Sequence, residues 1–138
     1  MPTTTAIPAA KEAVRRTLAE AASLEGTTVA TGKEPTRPRQ YIWVVKASAK
    51  RDWGSLGQRR RKEKLSVTMR VVAIGADDVE ARAYELCSAA EVALLENLQL
   101  NGQVVKNLVE ELDEEPSLDF DGKPGHAVWM TVVADTTL

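Results

Sequence analysis

Apolar and polar positions alternate along residues 63–74, Glu63-Lys64-Leu65-Ser66-Val67-Thr68-Met69-Arg70-Val71-Val72-Ala73-Ile74. Leu65, Val67, Met69, Val71 and Ala73 fall on one face, and Lys64, Ser66, Thr68 and Arg70 on the other. A period of two predicts a strand with one buried side. After Gly75-Ala76 the period changes. Val79, Ala83, Leu86, Ala90, Leu94 and Leu98 recur at three or four residues, which predicts a helix from Asp77 to about Leu98 with one apolar stripe. Upstream, Ile7, Ala10, Val14, Leu18 and Ala21 predict a first helix over 6–24, with Pro8 in its first turn and Gly26 as its stop.

The remaining segments read as strands and turns. The spacing allows a short strand over Thr27–Thr31. A longer one is expected from Gln40 to Ser48, with Tyr41, Trp43, Val45 and Ala47 on one face and Ile42, Val44 and Lys46 on the other. Both faces are largely apolar, so both are expected to be covered. Asn101-Gly102 marks a sharp turn. Val104 to Leu112 fits a short helix or an irregular strand, with strand favoured. The acidic run Glu110 to Glu115 ends at Pro116, and 121–125 form a turn before a last strand from His126 to Asp135. The order is helix, short strand, strand, strand, helix, strand, strand. It predicts an α+β fold, a mostly antiparallel sheet with two helices packed on one face.

The 138 residues suit a single domain, 1–138, with a flexible start at 1–5 and a long loop at 49–62. Nothing at the N-terminus resembles a secretion signal, and no apolar run reaches the ~18 residues that cross a bilayer. One cysteine, Cys87, excludes an internal disulfide. The chain therefore reads as soluble and intracellular, with no membrane partner.

Net charge is only −2, but it is unevenly placed. Residues 33–70 carry a balance of +9, and residues 77–121 carry −11. Such a chain can neutralise itself, or set its basic part against the acidic part of another copy. The loop at 49–62 is long for a hairpin connection and holds Arg51, Trp53, Arg59, Arg60, Arg61 and Lys62. These are candidate interface residues. Trp53 serves as an anchor or packs beneath the loop.

Catalytic patterns are missing. Gly54-Ser55-Leu56-Gly57 lacks the spacing of a phosphate-binding loop. His126 has no cysteine neighbour with which to build a zinc cluster, and beside a turn it reads as a surface or capping residue. Cys87, within a helix, reads as a small buried thiol. The acidic run lacks the glycine and ligand spacing of a calcium loop. No catalytic, cofactor or metal residue is assigned, and an enzyme is not expected. The arginine run with Trp53 could contact nucleic acid, but the pI of about 5.5 argues against a dedicated binder.

The arrangement of an amphipathic helix, a strand, a long hairpin loop, the strand Glu63-Lys64-Leu65-Ser66-Val67-Thr68-Met69-Arg70-Val71, the helix with Asp77-Asp78-Val79-Glu80-Ala81-Arg82-Ala83 and Val92-Ala93-Leu94-Leu95-Glu96-Asn97, and a closing strand resembles the tail terminator proteins of long-tailed bacteriophages, the minor tail protein U type. The similarity spans roughly residues 6–135. It implies a structural virion protein that forms a homo-hexameric ring on the head-proximal end of the tail tube. The ring stops tube polymerisation and meets the head-tail connector protein, while DNA passes through the lumen without specific binding. The resemblance implies no enzyme activity and no cofactor, with assembly in the host cytoplasm. On this reading Arg51, Trp53, Arg59, Arg60, Arg61 and Lys62 face a neighbouring subunit or the tail tube protein. Glu110, Glu111, Asp113, Glu114 and Glu115 face the lumen or the next subunit. The alternatives are another neck or tail ring component, such as a head-completion, stopper or tail tube protein, and a small nucleic-acid-binding module.

Overall fold

The computed structural model describes residues 7–36, 38–52, 62–75, 78–100, 103–104 and 106–137. Its elements are α1 (Ile7–Glu20), a 3-10 turn (Ala22–Leu24), β1 (Thr28–Thr31), β2 (Gln40–Asp52), β3 (Lys62–Ile74), α2 (Val79–Asn97), β4 (Gln99–Leu100), β5 (Gln103–Val104), β6 (Asn107–Phe120) and β7 (Lys123–Thr137). Five strands form one sheet in the order β1-β2-β3-β7-β6. Among the described residues only the β1–β2 pair is parallel; the other pairs are antiparallel. The fold is therefore α+β, as the pattern predicts. β4 and β5 pair separately, on either side of the expected turn at 101–102, which lies outside the described residues.

The core lies between the sheet and the two helices. Ala10, Val14 and Leu18 of α1, and Ala83, Leu86, Ala90 and Leu94 of α2, pack on Leu65, Val67, Met69, Val71 and Ala73 of β3. The two periodicities thus meet in one apolar layer. Val128, Met130, Val132 and Ala134 of β7 complete it, at 8 % exposure or less. Buried apolar area stabilises by about 25 cal/mol per Å², so this layer dominates folding. Asp78 caps α2: its side chain accepts a hydrogen bond from the Ala81 N–H at 3.2 Å.

A smaller cluster occupies the opposite, helix-free face. Tyr41, Val72, Ile74 and Ala127 are buried there, with Trp43, Leu118 and Phe120 against them. Two-sided cover of β2 is thus found at its first half.

Several boundaries differ from those read in the sequence. The first helix breaks into α1 and the 3-10 turn after Glu20. β2 does not stop at Ser48. It runs to Asp52 and β3 starts at Lys62, so the ends of the expected 49–62 loop are strand. Ala49 is set opposite Leu65, and Arg51 opposite Glu63, and Ala49 packs on the core. Burial therefore continues past the point where the polar residues suggested a loop. The face assignment of β2 changes too. A bulge at Val45 inserts one extra residue, which transfers Ala47 to the core side with Ile42 and Val44.

At the other end, the turn is only Asp121-Gly122, with φ of 54° and 86°. Two successive positive φ values fit the Asp-Gly hairpin turn that follows strand twist. Lys123 to Gly125 already belong to β7. Gly125 is required for packing, because a Cβ there would lie 2.4 Å from Cε2 of Phe120.

Candidate interaction surface

The acidic run is strand. β6 carries Glu110 to Glu115 as the outermost strand beside β7, and continues through Pro116 to Phe120. Pro116 is tolerated because an edge strand can lack one N–H. Two bulges, one at Glu110 and one between Glu115 and Leu118, set which side chain faces where. Consecutive carboxylates in a strand diverge, so five acids that look like one patch in sequence serve two faces.

Glu114 lies on the helix side. Its carboxylate accepts a hydrogen bond from the Tyr84 hydroxyl of α2, which pushes that phenol up to about 12. Beneath Tyr84 sits His126, with ring centroids 5.9 Å apart. His126 is 4 % exposed and its Nε2 is 3.7 Å from Oε2 of Glu114. This corrects its expected surface placement. β7 begins at Lys123, so His126 is already inside the strand, opposite Ala73 and under α2.

Glu115 lies on the helix-free face. Arg70 donates to it twice, Nε to Oε1 at 3.1 Å and Nη2 to Oε2 at 3.3 Å, and donates from Nη1 to Glu34 at 3.0 Å. The Trp129 indole also donates to Glu115, and the Arg70 guanidinium stands 5.7 Å over the Trp129 ring. Burial works against the charge on Arg70, but the Glu115 and Glu34 carboxylates outweigh it and raise its pKa. Burial and then the Glu34 carboxylate push the neighbouring Tyr41 phenol up to about 12. Trp43 is fixed by donation to the Gly32 carbonyl at 2.9 Å. The network joins β3, β6, β7 and the segment after β1.

Glu110, Glu111 and Asp113 are exposed. Glu111 is opposite Thr131 and Asp113 opposite Trp129, so both project from the helix-free face. Of the basic candidates, Arg51 is near the end of β2 and Lys62 opens β3. Trp53, Arg59, Arg60 and Arg61 lie outside the described residues. β2 and β3 pair through Asp52 and Lys62, the described positions on either side of 53–61 in the chain.

The sequence reading missed the partners: Arg70, Glu34, Trp129, Tyr84 and His126. Arg70 was placed on the polar face of its strand, which is right. Its two carboxylates come from sequence positions 36 and 45 residues away. No spacing rule brings those together. Cys87 is buried, as expected, and burial followed by the Glu91 charge pushes its thiol up to about 12. A thiol that holds its proton this tightly is a poor nucleophile. Among the described residues, no group of three His, Cys, Asp or Glu side chains is placed to hold a metal ion.

No family model matches the chain, and no curated protein matches it. Among solved structures, a chain from the virion of a native gene transfer agent particle shares this fold. The two superpose with a TM-score of 0.73 over 98 % of this chain and 100 % of that one, at 16 % sequence identity. The likeness extends from end to end and is one of fold.

Proposed function

We propose that this chain is a structural virion protein, and more closely a tail terminator. It assembles as a homo-hexameric ring on the head-proximal end of the tail tube, ends tube polymerisation and presents a face to the head-tail connector protein. The observation that carries this reading is the end-to-end superposition on a chain of a virion particle, with neither chain contributing an extra domain to the match. The element order that resembles tail terminators gives the finer assignment. The two well-formed helices favour a terminator over a tube protein, which carries more sheet.

The surface suits the role. A +9 segment and a −11 segment in one chain favour head-to-tail contact between copies. Arg51, Trp53, Arg59, Arg60, Arg61 and Lys62, at the connection between β2 and β3, contact the tube or a neighbouring subunit. Exposed carboxylates such as Asp113 border the lumen, where like charge keeps passing DNA from adhering.

Native mass spectrometry over a range of concentration and salt tests the ring. A species six times the 15.0 kDa chain mass is expected. A 15.0 kDa species that persists even with tube ends present would contradict it.

A further inference from the structure

The sheet has two open edges, and they differ in charge. β1 covers β2 only from Tyr41 to Val44. From Lys46 onward, no described strand pairs with the outer side of β2. At the far side, β6 is the last strand and exposes Glu110 and Glu111. One row of residues crosses the whole sheet between these edges. Lys46 of β2 is opposite Thr68 of β3, Thr68 opposite Thr131 of β7, and Thr131 opposite Glu111 of β6. The two threonine hydroxyls in the middle are 3.5 Å apart. Both row ends project from the helix-free face and are exposed, and neither has an ion-pair partner among the described residues.

We propose that the β6 edge of one copy docks on the uncovered β2 edge of the next, with Glu111 set against Lys46. The partner is a second copy of this chain. The proposal rests on the ring reading above and supplies its joint. Within one copy, β2 runs opposite in direction to β6, because each of the pairs β2–β3, β3–β7 and β7–β6 is antiparallel. A rotated copy therefore presents an antiparallel edge, the geometry in which facing side chains pair directly. Charge selects the contact. Two β6 edges repel each other and so do two basic β2 edges, while the mixed pair attracts. The contact is heterologous, so it propagates from copy to copy and closes only when the rotation allows. Its extent is limited by β1, which occupies the β2 edge at Val44, and by the start of β6 at Asn107. The joint therefore uses the segment from Asn107 to Glu111 against that from Lys46 to Lys50.

A cysteine pair tests the contact. The full chain carrying Lys46→Cys and Glu111→Cys is oxidised at the concentration where native mass spectrometry finds oligomers, or at the highest soluble concentration if it finds none. Within one copy the two positions are three strand spacings apart, about 14 Å, too far for a disulfide. The expected result is a ladder of covalent multimers beyond the dimer, while each single-cysteine variant stops at dimer. Lys46→Glu and Glu111→Lys are each expected to lower the oligomer fraction at least tenfold, and the double swap to restore it. Oligomers that neither crosslink nor respond to the charge swap would overturn the edge joint and leave the ring standing. A monomer that does not crosslink in solution or on tube ends would overturn both.

Discussion

Arg70 of β3 holds Glu115 of β6 across an intervening strand, through two hydrogen bonds of 3.1 and 3.3 Å. The strand between them is β7, and its Trp129 lies under the guanidinium and donates to the same carboxylate. The pair therefore ties the outermost strand to the middle of the sheet. Replacing Arg70 by Met leaves Glu34 and Glu115 close together without their cation. Breaking a buried pair costs about 3–5 kcal/mol, but both carboxylates are about a third exposed and water screens them. The expected loss is about 2 kcal/mol in urea denaturation. Glu115→Gln, which can still accept from Arg70 and Trp129, is expected to cost about 1 kcal/mol.

Stability is expected to fall in alkali before most of the fold's charges change. Tyr41 holds its proton to about 12 in the folded chain, against an ordinary value of 10.0. A raised folded value stabilises fully below the unfolded pKa and is lost as pH rises through the folded one. The Tyr41 contribution is thus present below pH 10 and lost by pH 12, about 2–3 kcal/mol at roughly 1.4 kcal/mol per pH unit. Urea midpoints from pH 8 to 12 should fall less steeply above pH 10 in Tyr41→Phe than in the unmodified chain. Equal slopes would mean that the phenol titrates alike in both states.

Gly125 is expected to tolerate no side chain while Phe120 stays in place. Its added Cβ would lie 2.4 Å from the Phe120 ring and 3.3 Å from the Ala73 carbonyl oxygen. Gly125→Ala should cost about 1–3 kcal/mol, the usual cost of overpacking. In a double-mutant cycle, Phe120→Ala should absorb much of that loss, since the two share one contact. Strict additivity would show that the backbone, and not the ring, is the obstacle.

Cys87 should resist thiol reagents in the folded chain. It is 4 % exposed in the main core, and burial holds its thiol near 12. Reaction with a colorimetric disulfide reagent at pH 8 is expected to be on the order of 10²-fold slower than in urea-unfolded protein. Rapid labelling without unfolding would contradict the packing of α2.

The helices and β3 could be read from the chain because each has one uninterrupted period. Leu65, Val67 and Met69, or Ala83, Leu86 and Ala90, declare their face without knowledge of any partner. Bulges removed that advantage elsewhere. The extra residue at Val45 moved Ala47 to the core, and the one at Glu110 moved Glu111 from the core side of β6 to the helix-free face. A bulge is a choice made by strand pairing, so no local spacing announces it. His126 has a different cause: β7 starts at Lys123, within the residues that read as a turn, so His126 is already inside the strand. The candidate surface was legible as charge, not as pairing. The basic and acidic halves were visible, but the coupling of Arg70 with Glu115 and the row from Lys46 to Glu111 depend on register.

The most direct test is to grow tail tubes from purified tube protein with and without this chain, and to measure their lengths by electron microscopy. A terminator is expected to give shorter tubes of narrow length distribution, each with a ring on one end, and to bind preformed tubes at one end only. Tubes of unchanged length with bare ends, at concentrations where this chain is folded, would contradict the assignment.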